Sequence, residues 1–134
     1  MTCESGWTPS TSTGRCYKTV FSAKDWNEAR SYCQGLGTTG DLASIPDMET
    51  NEVVLSLISG SGMYWIGGTD AASEGVWQWA DGTPWSFTNW VSGQPNNGNH
   101  GSQHHLVIRG MAHEMHGQWL DVTETVNNYF ICQY

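Results

Sequence analysis

The chain has 134 residues, with 13 acidic against 5 basic and a formal charge of −8. A surface of that sign repels phosphate backbones, and no Lys/Arg cluster offsets it, so nucleic acid is excluded as a partner. No apolar run approaches the roughly 20 residues that a bilayer span requires. No Pro/Ser-rich or charged linker divides the sequence either, so residues 1–134 read as one domain. Met1 stands just ahead of Cys3 with no signal peptide, and reads as the first residue of a mature domain whose secretion signal has been removed.

The first element lies between cysteines. Cys3, Cys16, Cys33 and Cys132 permit three pairings. Their spacing fits neither a zinc knuckle nor a thiol redox motif. Cys3 and Cys16 flank a Gly/Thr/Ser-rich turn and can close a hairpin; Cys33 and Cys132 would then tie an early helix to the C-terminal strand. Such a loop of about 100 residues is worth on the order of 4 to 5 kcal/mol in the chain-entropy model. Disulfides place the chain in an oxidising, extracellular compartment.

Ser22 followed by Asp25 reads as a capping box, with Ser22 as N-cap of the first helix. Trp26, Ala29 and Cys33 then share one helical face, ending near Gly35 or Gly37. Leu42-Ala43-Ser44-Ile45 is a short strand or extended link. A second helix starts after Asp47, with Val54, Leu55 and Ile58 on one face and Gly60 as its stop.

Beyond Gly62 the texture becomes aromatic and β-prone, in Tyr64-Trp65-Ile66 and in Val76-Trp77-Gln78-Trp79. Asp81-Gly82-Thr83-Pro84 marks a turn. Residues 92–102 are Gly, Asn, Gln, Pro and Ser with almost nothing apolar, and form a loop. Leu106-Val107-Ile108 and Tyr129-Phe130-Ile131 read as buried strands. Helices first and short strands later argue an α+β fold, not an alternating parallel sheet.

These motifs, in this order and spacing, resemble the C-type lectin-like domain over nearly the whole chain. Cys3…Gly6-Trp7…Cys16-Tyr17 is similar to the extra hairpin of the family's long form. Trp65-Ile66-Gly67-Gly68 stands at its W-I-G core motif. Glu74-Gly75, Trp77-Gln78-Trp79, Asp81-Gly82-Thr83, Asn89-Trp90 and Phe130-Ile131-Cys132 continue the pattern. The resemblance implies two helices packed on short antiparallel strands, with a long irregular binding loop. One departure concerns that loop: His105 stands where most members carry the first cysteine of a second loop disulfide, and no cysteine follows Asp121.

The resemblance also implies a site. Gln94-Pro95-Asn96 and Trp119-Leu120-Asp121 look like the family's sugar-binding signature, in which a cis proline turns both flanking side chains toward one ligand. The five calcium-ligand positions fall on Gln94, Asn96, Gln103, Leu120 and Asp121. Leu120 has no side-chain oxygen, and Gln103 stands where a glutamate is usual. Calcium wants six to eight oxygens, and charge count sets much of its affinity. Ca2+ binding is therefore expected to be absent or weak, about 10⁻⁴ to 10⁻³ M at best. Glu114, in a neighbouring loop, is a possible extra carboxylate. An auxiliary calcium site would use Asp70, Glu74, Asn97, Gln103 and His104, with His104 in place of an acid; the plainer reading is that Asp70 and Glu74 solvate a turn. Gln-Pro-Asn is a hybrid between the family's galactose-type and mannose-type tripeptides, and Gln94 leans it toward galactose or N-acetylgalactosamine. Trp85, Trp90 and Trp119 are candidate sugar platforms, although Trp90 and Trp119 occupy positions that are buried core in the family.

His100, His104, His105, His113 and His116 cluster late in the chain and read as adventitious surface histidines. His113-Glu114-Met115-His116 spaces its histidines i, i+3, whereas zinc-protease chemistry needs i, i+4 on a helix. No nucleophile, paired acid and base or phosphate loop is present, so no enzymatic activity is expected. The expected function is a secreted lectin binding glycans through the Gln94-Pro95-Asn96 loop, with a homodimer as the natural source of avidity. The alternative is a lectin-like domain without sugar binding that recognises a protein or ice surface.

Overall fold

The strand Met63–Thr69 is buried along most of its length because both of its sides meet apolar surface. Tyr64 and Ile66 enter one cluster, with Ile45, Val54, Ile58, Trp79, Ile108 and Trp119. Trp65 enters the other, with Trp26, Ala29, Leu42, Val107 and Phe130. This period-two division makes Met63–Thr69 the axis around which the domain is built.

The computed structural model describes residues 2–58, 62–73, 75–91, 103–110, 117–123 and 125–134. In chain order its elements are β1 (Thr8–Ser10), β2 (Arg15–Lys24), α1 (Trp26–Gln34), β3 (Asp41–Leu42), α2 (Met48–Ser56), β4 (Met63–Thr69), β5 (Gln78–Trp79), β6 (Gln103–Arg109), β7 (Trp119–Thr123) and β8 (Asn128–Gln133). The sheet runs β1-β2-β8-β4-β6-β7, with β3 added to β8 and β5 to β4. The pairs are antiparallel except β4 with β8, which is parallel, so the sheet is mixed, where short antiparallel strands were expected. Gly68 in β4 has no room for a side chain, because a Cβ there would collide with Leu106 of β6. That close approach explains the W-I-G-G motif.

Two disulfides join Cys3 to Cys16 and Cys33 to Cys132. The first closes the β1–β2 hairpin; the second ties α1 to β8 across 99 residues of sequence. Among the described residues no helix is long and apolar enough to cross a membrane.

The helix ends differ from the sequence expectation. Asp25, not Ser22, is the N-cap of α1: its carboxylate accepts from the Glu28 backbone N–H, while Glu28 accepts from the Asp25 N–H. Ser22 belongs to β2, which a register shift between Val20 and Lys24 carries through to the helix. Asp47 caps α2 as expected, accepting from the Thr50 N–H. The helix stops at Ser56, short of Gly60, and its buried residues are Thr50, Asn51 and Val54. Ile58 is buried beyond the helix, and Gly60 lies outside the described residues. Of Val76-Trp77-Gln78-Trp79 only Gln78–Trp79 pairs as strand.

The Asp81 turn is a well-satisfied polar cluster. Its carboxylate accepts from the Thr83 N–H (3.0 Å), the Thr83 hydroxyl (3.0 Å), the Gln133 amide (2.6 Å) and the Ser44 hydroxyl (3.1 Å), with Arg15 at 3.4 Å. Burial pushes the Asp81 pKa up, but these donors and the guanidinium outweigh it and hold it below the ordinary carboxylate value.

Candidate functional site

β6 and β7 form the floor that carries the described residues of the candidate site. Their pairing sets Leu106 opposite Asp121, Val107 opposite Leu120 and Ile108 opposite Trp119. Side chains alternate along β7, so Trp119 and Asp121 share one face and Leu120 the other. Leu120 packs against the Trp26/Trp65 cluster. Position 120 therefore serves the apolar core and supplies no oxygen to a ligand. Asp121 is 2% exposed.

Five indoles form the wall beside this floor. Trp119 is fully buried, with ring centroids 5.3 Å from Trp79, 5.9 Å from Trp85 and 6.1 Å from Trp90. Its Nε1–H donates to Asn51 Oδ1 at 2.8 Å, which links the wall to α2. Trp77 lies 5.3 Å from Trp90 and 6.4 Å from Trp85. Val91 and Trp119 exchange backbone contacts through the Val91 N–H, which donates to Trp119 O at 2.8 Å; Trp119 N–H donates to Asn89 O at 2.8 Å. Trp119 is core, as the resemblance implied, while Trp85 and Trp90 are half-buried against it.

The floor's far corner holds the auxiliary-site positions. The β6–β7 register shifts between Gln103 and His105, leaving His104 as the bulged residue. Bulges re-aim a side chain, and here the His104 Nδ1 lies 2.8 Å from Asp70 Oδ1. The Asp70 N–H donates to His104 O at 3.1 Å, so backbone and side chain make a double contact. Asp70 Oδ2 accepts from the Gly75 N–H at 2.8 Å, and Asp70 O accepts from the Ser73 N–H. Asp70 is thus 2% exposed and internally satisfied, which replaces the picture of a carboxylate solvating a turn.

The two described histidines, His104 and His105, also differ from the expectation of surface residues. His104 is an Asp70 partner, and His105 is 3% exposed with its ring 4.2 Å from Trp26. An imidazole packed at a tilt against an indole stands at the position where the resemblance has a loop cysteine. No local sequence signal distinguishes these two histidines from the other three; their roles arise from the bulge and from pairing with β4.

Gln94, Pro95, Asn96, Asn97, Glu74, Glu114, His100, His113 and His116 lie outside the described residues, and Gln103 is described in its backbone pairing with Thr123 only. Of the expected ligands, the structure brings Asp70 and His104 into contact and buries Asp121 in β7. Among the described residues no three His, Cys, Asp or Glu side chains converge on a metal position.

The comparisons with known proteins agree with this architecture. The "Lectin C-type domain" family model matches residues 22–134. The human "C-type lectin domain family 17, member A" is 32% identical over 133 residues, covering 99% of this chain and 32% of its own length. The chain therefore spans about one third of that relative. The human scavenger receptor C-type lectin carbohydrate-recognition domain superposes with a TM-score of 0.85 at 28% identity, covering 99% of this chain and 98% of that one. A calcium-independent type II antifreeze protein superposes at 0.83 with 27% identity, covering 99% and 94%. The chain belongs to the C-type lectin domain family.

Proposed function

We propose that this chain is a single, secreted lectin domain, without enzymatic activity, that binds glycans through the Gln94-Pro95-Asn96 loop together with Asp121. Family membership supports the lectin reading. The observation that supports the site is that Trp119 and Asp121 lie on one face of β7, with Trp119 bonded through its backbone to Asn89 and Val91. Galactose or N-acetylgalactosamine is the favoured sugar, because Gln94 puts an amide donor where a carboxylate acceptor would favour other hydroxyl patterns.

Calcium dependence is weakened or lost in this reading. Leu120 is committed to the apolar cluster, and the Asp70 oxygens already accept N–H bonds. The residues left at the first site, Gln94, Asn96, Gln103 and Asp121, carry one charge, which suits a weak calcium ligand set at best. The test is inhibition of glycan binding by free galactose, N-acetylgalactosamine and mannose. Galactose-type sugars should compete best, and Asn96→Ala should remove binding; a protein that binds no glycan, or whose binding survives Asn96→Ala, contradicts the proposal.

A second reading is favoured by the same eroded ligands and by the likeness to a calcium-independent antifreeze protein. In it the domain recognises a protein or ice surface and is silent toward sugars. Ice recrystallisation inhibition without glycan binding would select it.

A further inference from the structure

We infer that the Asp70–His104 pair takes the place of the auxiliary cation that the family resemblance implies, holding the turn after β4 onto β6 with hydrogen bonds internal to the chain. Among the described residues, Asp70 and His104 do not fit calcium. A hard cation collects six to eight oxygens, whereas the neighbour aimed at Asp70 is an imidazole nitrogen 2.8 Å away. With the carboxylate accepting, that nitrogen carries the proton, so the positive end of an N–H bond stands where a cation would. The second oxygen is engaged too, by the Gly75 N–H at 2.8 Å.

The contact is built into the fold. His104 reaches Asp70 because it is the bulged residue of β6. The Asp70 N–H to His104 O bond, 3.1 Å, fixes the two backbones side by side. A carboxylate buried to 2% exposure needs such partners, since burying an unpaired charge is costly. The turn also closes on itself, through Ser73 N–H to Asp70 O and Ala71 N–H to Thr69 Oγ1 at 3.1 Å. One carboxylate thus gathers β4, the turn and β6, the task a bound ion would otherwise perform. Asp70 and His104 are positioning residues in this account.

The inference is independent of sugar binding and is read without glycan. Backbone amide spectra of the full chain are recorded with chelator and with millimolar calcium chloride, alongside thermal unfolding. In the wild-type protein the Asp70, Ser73 and Gly75 amide signals should stay in place when calcium is added. His104→Asp removes the donor and adds oxygens, so in that variant the same three signals should move with calcium and Tm should rise with it. In chelator, Asp70→Asn, which also weakens the bond from the Gly75 N–H, and His104→Ala should each lower Tm by about 3 to 8 °C, and the double variant by clearly less than the sum of the two, because the Asp70–His104 contact is lost in both. Calcium-induced movement of those signals in the wild-type protein would overturn the inference, as would additive losses in the double variant. Should Asp70→Asn fail to fold, the wild-type and His104→Asp calcium titrations still decide.

Discussion

The indole wall and the acidic corner lie on the same sheet but are held in different ways. Trp77, Trp79, Trp85, Trp90 and Trp119 touch one another many times over, so no single ring contact decides the wall's position. At the corner, one carboxylate holds His104 and Gly75 through two bonds of 2.8 Å. The wall is made of area, which tolerates change gradually; the corner is made of direction, which does not. Leu120 belongs to neither region: it packs into the apolar core from the opposite face of β7.

The largest effect should come from removing the wall's centre. Trp119→Ala deletes a fully buried ring and removes the donor to Asn51 Oδ1, and should cost about 3 to 5 kcal/mol in urea unfolding. A loss well under about 1 kcal/mol would show that the wall does not depend on that ring. Replacing Cys33 and Cys132 together by alanine should cost about 2 to 5 kcal/mol, through the 99-residue separation they bridge, while leaving the wall and corner in place when the variant is folded.

Asp81→Asn should cost about 1 to 3 kcal/mol, because it weakens a carboxylate with four hydrogen-bond donors and an arginine. Its folded pKa lies below the ordinary value, so its contribution is fully present above about pH 4 and is lost as pH falls through the lower folded value. Acid unfolding of the variant should accordingly be shallower than that of the wild-type protein. An unchanged acid limb would assign that pH dependence elsewhere. The smallest stability effect belongs to the binding loop: Asn96→Ala should change unfolding free energy by less than about 0.5 kcal/mol while abolishing glycan binding, the clearest separation of scaffold from site.

Much of the scaffold was legible in the sequence because it depends on local pattern. Trp26, Ala29 and Cys33 announce α1 by their spacing, and Asp47 announces the start of α2. The cap of α1 was misread because Ser22 and Asp25 both precede an acid at capping distance, and only the β2 register shift decides between them. The end of α2 was misread because Ile58 keeps the apolar pattern going after the helix has stopped. The resemblance groups Asp70 and His104 at one auxiliary site, but their direct contact was not legible. Asp70 and His104 are separated by 34 positions, and their meeting depends on a bulge created by pairing with β7. A histidine at 104 carries no local mark that tells a surface residue from a carboxylate's partner, nor does a histidine at 105 reveal that its ring packs against Trp26.

The central claim, a glycan-reading loop whose scaffold no longer relies on calcium, is tested most directly by one glycan array run in calcium and again in chelator. Binding to galactose- or N-acetylgalactosamine-terminated glycans that persists in chelator is the predicted result. An array silent in both conditions, or binding that is complete at micromolar calcium and disappears in chelator, would contradict it.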